Sequence, residues 1–312
     1  MRQGLLLTGA ILSGKRWISR KLIKAGDLPY FHEPLNPLSP PGLPLKELQT
    51  TYPFIENNDH CPYTQKVSQY LRGYVPWWRS IQEGRSIRDK LSLLKANYQR
   101  RKAFENGPVL IKCPFSVFSA GFYMDQMELD LVFSLRNPLD LVAAAKQQSD
   151  HRNFQELAQN SALIDHCFPQ FKDQIQSLAV RCSENDLSTV ECVTHYWIFV
   201  YTYVMRLWEQ YGTDGRIHFV SLIQLNQDPQ GEFERLFARL EKRLGRPFKP
   251  VEDVVSAEGH SSSQDSPPTQ RNMKVWDRET TYQILSEQEC QFVTEKTANL
   301  LEEVSQMTGM RL

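Results

Sequence analysis

The feature that most constrains this chain is a short apolar run, Gly4-Leu5-Leu6-Leu7-Thr8, followed at once by a glycine-bounded loop and a helical pattern. The run has no polar alternation, as in a strand buried on both faces of a parallel sheet. The loop Gly9-Ala10-Ile11-Leu12-Ser13-Gly14-Lys15-Arg16 leads into a helix expected from about Lys15 to Lys24. A tight turn of this kind aims several backbone N–H groups at one spot. The helix N-terminus adds the positive end of its dipole, and Lys15 adds a full charge. The result is a cradle for phosphate or sulfate; the plain alternative is a strand–turn–helix with exposed basic residues. The spacing GxxxxGK fits the P-loop pattern, whose next residue is a Ser or Thr that holds Mg²⁺. Arg16 stands there instead, so a metal-free anion site is expected and a conventional ATPase or kinase is disfavoured.

Further short apolar runs follow at 108–112 (PVLIK), 129–135 (LDLVFSL) and 216–222 (RIHFVSL), separated by helical patterns at 63–104, from Phe115, after Pro138, through most of 151–212, and at 229–244. A last helical pattern fills 286–306. Strands alternating with helices predict an α/β fold around a mainly parallel sheet. Residues 34–62 are proline-rich and read as a long surface loop. Residues 60–104 read as a helical insertion with basic and aromatic residues interleaved, and the Ser/Pro/Gln-rich stretch 254–272 as a mobile segment. No internal repeat is visible, and 1–312 reads as a single domain.

Lys+Arg and Asp+Glu are both 36. A zero net charge gives no global field favouring nucleic acid, so any anion site must be local. The six cysteines are scattered without a CxxC pair, which fits a reducing cytoplasm and argues against a disulfide framework or zinc site. The N-terminal apolar run is too short and too interrupted for a secretory leader, with Lys15 and Arg16 where a cleavage site would fall. The apolar stretch 193–208 contains His195, Thr202 and Arg206 and is shorter than the roughly 20 residues of a membrane span. It is expected to be a buried core helix.

Three more motifs sit at expected strand ends, where open parallel sheets bind ligands. Arg136-Asn137-Pro138-Leu139-Asp140 places an arginine able to clamp phosphate just before a helix that Pro138 can start. Lys112-Cys113-Pro114 places a lysine toward the same crevice, with Cys113 as a small filler. His32-Glu33-Pro34 offers an acid–base residue near the anion cradle, as group transfer to a hydroxyl needs. Pro34 is expected to hold Glu33 extended.

In this order the motifs resemble the P-loop sulfotransferase family, especially its bacterial and carbohydrate-type members. The stretch TGAILSGKRW (8–17) is similar to the family's 5′-phosphosulfate loop, HEPLNP (32–37) to a His-Glu-Pro segment, KCPF (112–115) to a KDPF-like strand end, and RNPLDLVAAAK (136–146) to the 3′-phosphate motif. Residues 221–237 and 272–289 also resemble the family's last strand and C-terminal segment, so the likeness spans nearly the whole chain. The resemblance implies a three-layer P-loop fold and use of 3′-phosphoadenosine 5′-phosphosulfate without metal. It implies cofactor contacts from Gly9, Ala10, Ser13, Gly14, Lys15, Arg16, Trp17 and Arg136, and catalysis by Lys15, Lys112 and Glu33, with His32 the rival base. The acceptor is then a hydroxyl-bearing glycan or small molecule. Tyr74, Trp77 and Trp78 are either stacking platforms for it or packing residues of the insertion. Leu12 stands where the family has Arg or Lys, Lys15-Arg16 where it has hydroxyl residues, and Ala144 where it has Ser. These departures leave open a second reading, a non-catalytic family member that binds a nucleotide or a protein partner.

Overall fold

The computed structural model describes residues 4–36, 50–56, 62–74, 86–149, 154–255 and 278–312. Five strands form one wholly parallel sheet: β1 (Gly4–Gly9), β2 (Tyr30–His32), β3 (Val109–Lys112), β4 (Leu129–Leu135) and β5 (Ile217–Ser221). Their order is β2-β3-β1-β4-β5. The chain leaves β1 in one direction for β2 and β3 and returns on its other side for β4 and β5, so the loop after β1 lies at the point where the strand order reverses.

The alternation of side chains along each strand divides the core into two layers. Leu5, Leu7, Leu110, Val132 and Val220 face one way, against helices Lys15–Gly26 and Pro229–Leu244. Leu6, Ile111, Leu131, Phe133 and Phe219 face the other way, against the helices Pro138–Gln147 and Thr189–Tyr211. Leu5, Leu6 and Leu7 are all fully buried. Burial of each such side chain contributes about 1.5–3 kcal/mol, so this strand is a nucleus of both layers. The register pairs Leu7 with Lys112 on one side and with Val132 on the other, so β3 ends two residues short of Gly9 and β4 runs on to Leu135.

The expected α/β architecture is therefore observed. β2 completes the short extended segment that Tyr30 and Phe31 suggest after the first helix: it is a strand of the sheet through pairing with β3, Phe31 to Ile111 and His32 to Lys112. Residues 34–62 need correction as a surface loop. Leu35, Tyr52 and Ile55 are buried, and Thr50 and Thr51 hydrogen-bond the Glu156 carboxylate; residues 37–49 and 57–61 lie outside the described residues. Residues 60–104, expected as a helical insertion, contain helix Pro62–Leu71 and most of helix Ile87–Asn106 among the described residues. Most of 254–272 lies outside the described residues, as do Trp77 and Trp78. The apolar stretch 193–208 is inside the core helix Thr189–Tyr211, and among the described residues no helix is long and apolar enough to cross a membrane.

Candidate active site

The loop after β1 turns through two residues with positive φ, Leu12 at 53° and Gly14 at 74°. A Cβ on Gly14 would stand 2.7 Å from Leu222 Cδ1, a side-chain tip that can yield, so it is the left-handed backbone that asks for glycine here. Gly9 passes so close to β4 that a Cβ there would lie 2.6 Å from the Ser134 carbonyl. The loop is thus pressed against its neighbours and has little freedom to relax.

Helix Lys15–Gly26 starts without a side-chain cap and without an acidic residue in its first turn. Other helices here are closed differently: Ser86, Ser188 and Ser286 each form a complete capping box with an acidic partner three residues on. The leading N–H groups of a helix have no intrahelical acceptor, so this end keeps the positive pole of its dipole.

Lys15 is buried and folds back into the loop. Its Nζ donates to the Gly9 carbonyl at 3.3 Å, to the Ala10 carbonyl and to Ser13 Oγ at 2.9 Å. Ser13 in turn donates to the Ala10 carbonyl at 2.7 Å and is hydrogen-bonded to Ser134 Oγ on β4. Arg16 is exposed on the next position, and its charge acts on both Tyr30 and His32. Trp17 is buried edge-on against Phe233, and its indole N–H has no hydrogen-bond partner among the described residues.

Arg136, at the end of β4, is 1% exposed. It forms a forked pair with Asp140, Nε to Oδ2 at 2.7 Å and Nη2 to Oδ1 at 3.0 Å, and its Nη1 donates to the Leu12 carbonyl. Its own backbone is gripped as well: the Trp197 indole donates to its carbonyl at 3.0 Å, and the Tyr201 hydroxyl bonds the same carbonyl at 2.9 Å. Arg136 therefore fixes the loop to β4 and to the helix Pro138–Gln147. Asn137 caps that helix through Leu139 N, and Pro138 occupies its first turn as expected.

At the end of β3, Lys112 is buried and its ammonium is paired with Glu33 Oε1. Glu33 N donates to the Lys112 carbonyl at 2.7 Å, extending the β2–β3 ladder by one bond. Asn36 closes the turn, with its N on the Glu33 carbonyl at 3.0 Å and its Nδ2 on Glu33 Oε2 at 2.7 Å. Glu33 itself sits at φ 46°, which corrects the expectation that Pro34 keeps it extended. A left-handed backbone costs an L-residue about 1–2 kcal/mol, and the three hydrogen bonds with the Lys112 ion pair offset it.

Burial alone would raise the Glu33 carboxyl; the hydrogen bond and charge of Lys112, with smaller help from His32 and Asn36, outweigh it and hold the group below its ordinary range. His32 is half in water, its Nδ1 is bonded to the Tyr30 hydroxyl at 2.8 Å, and partial burial lowers it. Cys113 is fully buried and its thiol is pushed up by that burial, as befits a filler. Ala144 is buried on the helix Pro138–Gln147, and Tyr74 is exposed, hydrogen-bonded to Glu105 at 3.3 Å.

The strand ends thus gather Lys15, Arg16, Lys112 and Arg136 with Glu33 and Asp140. Asp140 and Asn36 stand inside the RNPLD and HEPLNP stretches with no role foreseen for them, and Ser134 was not foreseen at all. Asp140 lies four residues after Arg136, a helical ion-pair spacing that was there to be read. Asn36 and Ser134 carry no comparable local signal.

No protein-family model and no curated protein matches the chain. Among solved structures it is similar to a sulfotransferase domain from the curacin biosynthetic pathway, at 11% identity over 96% of this chain and 98% of that one, with a TM-score of 0.48. It is also similar to sulfotransferase STF9 from Mycobacterium avium, at 12% identity over 97% of this chain and 76% of that one, with a TM-score of 0.43. Likenesses this shallow carry no weight for activity, which has to be judged on the site.

Proposed function

We propose that this chain is a sulfotransferase that moves a sulfuryl group from 3′-phosphoadenosine 5′-phosphosulfate to a hydroxyl of a carbohydrate or other small acceptor. The observation behind this reading is charge. Four cations, Lys15, Arg16, Lys112 and Arg136, meet only two carboxylates, Glu33 and Asp140, at strand ends beside an uncapped helix N-terminus. Such an excess suits a ligand with several negative groups. The donor set is nitrogen-rich, and Arg16 replaces the hydroxyl that would hold a metal, which fits a metal-free phosphosulfate ester.

When bound, the donor supplies an activated sulfuryl group. The loop amides of residues 9–16 would hold its 5′-phosphosulfate, with Lys15, now bonded to Gly9 and Ser13, as the nearby cation. Arg136 meets the 3′-phosphate from its seat on Asp140, and Trp17 lines the nucleotide side. Lys112 and Glu33 share one ion pair, so their roles are linked. Lys112 would face the charge that develops on the departing group, and once drawn from Glu33 it would leave that carboxylate a better base. Glu33 then takes the acceptor's proton as the new oxygen–sulfur bond forms, and adenosine 3′,5′-bisphosphate departs. His32, bonded to Tyr30, is the alternative base.

Two measurements test this reading. Adenosine 3′,5′-bisphosphate should bind more tightly than AMP or ATP without Mg²⁺; equal affinity for AMP, or strict Mg²⁺ dependence, sinks the assignment. Glu33→Gln should keep that binding and lower turnover roughly 10²–10⁴-fold, read as bisphosphate release with a panel of hydroxyl acceptors. Near-full activity in Glu33→Gln with a dead His32→Ala moves the base to His32. A second reading, nucleotide binding without catalysis, is favoured by the full engagement of Arg136 with Asp140 and Leu12 and by Ala144. It predicts tight binding and no turnover with any acceptor.

A further inference from the structure

Helix Ile87–Asn106 has an inner face that packs on the protein and an outer apolar stripe that stays exposed among the described residues. Phe104 stacks on Phe31 of β2 with ring centroids 5.7 Å apart, Asn97 is buried, and Arg100 lies over the Tyr70 ring at 5.2 Å. The outer stripe consists of Ile87, Leu91, Leu94 and Tyr98, spaced by four, three and four residues, which is the repeat of one helix face. Ile87, Leu91 and Tyr98 are 77%, 62% and 65% exposed. Exposed large hydrophobics scattered singly are ordinary. These three, by contrast, share one line on one helix.

The flanks of that line decide what it suits. At 100° per residue, Lys90 and Arg101 border the stripe on one side, and Arg88, Lys95 and Lys102 on the other. Asp89 falls on a different face, where it closes the capping box with Ser86. Glu105 falls on the line of the stripe itself, seven residues past Tyr98, and is tied to Arg101 at 2.9 Å. Five cations thus line a convex apolar ridge in a chain whose net charge is zero.

We infer that this outer face seats the protein on an anionic lipid surface. Long Lys and Arg stems can run along the apolar ridge and carry their charges to the headgroups while Ile87, Leu91 and Tyr98 enter the interface. A convex ridge meets a plane better than it fills a pocket. Lysines on both borders also favour lipid over a protein partner, since protein interfaces are depleted in Lys. The inner face ties the ridge to the candidate site, because Phe31 precedes Glu33 by two residues. The docking stands independently of the sulfotransferase reading.

The test is co-sedimentation of the full chain with phosphatidylcholine vesicles, with and without phosphatidylserine. Binding is expected only with phosphatidylserine and should weaken with salt. Leu91→Ser with Tyr98→Ser, and separately Lys95→Glu with Lys102→Glu, should each weaken it roughly tenfold or more. Both pairs are at exposed positions and should leave the circular dichroism spectrum and melting unchanged. Failure to bind phosphatidylserine vesicles overturns the proposal. So does binding that survives Leu91→Ser with Tyr98→Ser, which leaves charge alone as the cause. Self-association abolished by Leu91→Ser, without vesicle binding, assigns the ridge to a second protein surface and also overturns it.

Discussion

Buried charge gathers at both ends of the sheet, and the two gatherings are built to opposite specifications. At the N-terminal end, Asp130 on β4 is wholly buried and takes Arg243 in a fork, at 2.8 and 3.2 Å, with His218 at 3.7 Å and Arg216 at 4.0 Å. Arg216 turns to Asp125 at 2.9 Å, and the Tyr211 hydroxyl donates to the same carboxylate at 2.6 Å. Two arginines meet two carboxylates, with a histidine beside them. At the C-terminal end four cations meet two carboxylates, beside an open helix terminus and a glutamate held in a left-handed backbone. The balanced end fastens β4, β5 and the helix Pro229–Leu244 together. The unbalanced end holds its charges at strand ends and helix starts, with more cations than carboxylates.

The largest effect should come from the balanced end. Asp130→Asn takes the wholly buried carboxylate away from Arg243, and removing one partner of a buried pair costs about 3–5 kcal/mol. Denaturant unfolding should show that loss, while the folded fraction binds adenosine 3′,5′-bisphosphate with unchanged affinity. A stable Asp130→Asn variant with weakened binding would erase the distinction between the two ends.

Next in size, Lys112→Ala should lower turnover by roughly 10²–10³-fold, the loss expected when a group that meets developing charge is removed. Its affinity for adenosine 3′,5′-bisphosphate should change much less. Lys15→Ala should show the reverse emphasis. It removes a charged hydrogen bond to the anion, worth about 1.5–3 kcal/mol, so calorimetry should find binding weaker by a factor of about ten to a hundred. Equal effects of both substitutions on binding would mean that the two lysines act as one positive patch without separate roles.

The two ends also differ in how far the sequence revealed them. The loop, its helix, and strands β1, β3, β4 and β5 were readable because each signal is local: an apolar run, a glycine spacing, a helical period. The helix Pro229–Leu244 was expected over the same residues. Lys112, Glu33 and Arg136 were legible as candidates because they sit directly beside such signals. Their partners were harder. Glu33 meets Lys112 only because the register sets His32 against Lys112 across 80 residues of chain, and β2 has too few residues to announce its place in the sheet. The folding of Lys15 onto the loop carbonyls depends on the turn's three-dimensional course. The cluster around Asp130 was invisible for the same reason: its members come from β4, β5 and a helix 113 residues further on. Strand patterns record which residues face inward, and charge pairs record which strands are neighbours.

The smallest expected effect separates the two ends by pH. The folded Glu33 carboxyl lies below its ordinary value of 4.5: burial pushes it up, and the Lys112 hydrogen bond and charge more than reverse that. A carboxylate depressed in the folded state adds stability that is complete above the unfolded value and is lost as pH falls through the folded one. Lys112→Ala removes the depressing charge and leaves the burial. The stability gap between the native chain and Lys112→Ala should therefore be full at neutral pH, about 1.5 kcal/mol for one charged hydrogen bond, and should close as pH drops below 4.5. Asp130 is depressed as well, with burial opposing and His218 and Arg243 prevailing, so Asp130→Asn should show the same closure on its larger gap, starting from its ordinary value of 3.8. Urea unfolding of the three chains between neutral and acid pH reads both gaps. A Lys112→Ala gap that stays constant with pH would show that Glu33 is not held ionised by Lys112. The proposed coupling, in which Lys112 releases Glu33 as a base, would then have no physical basis.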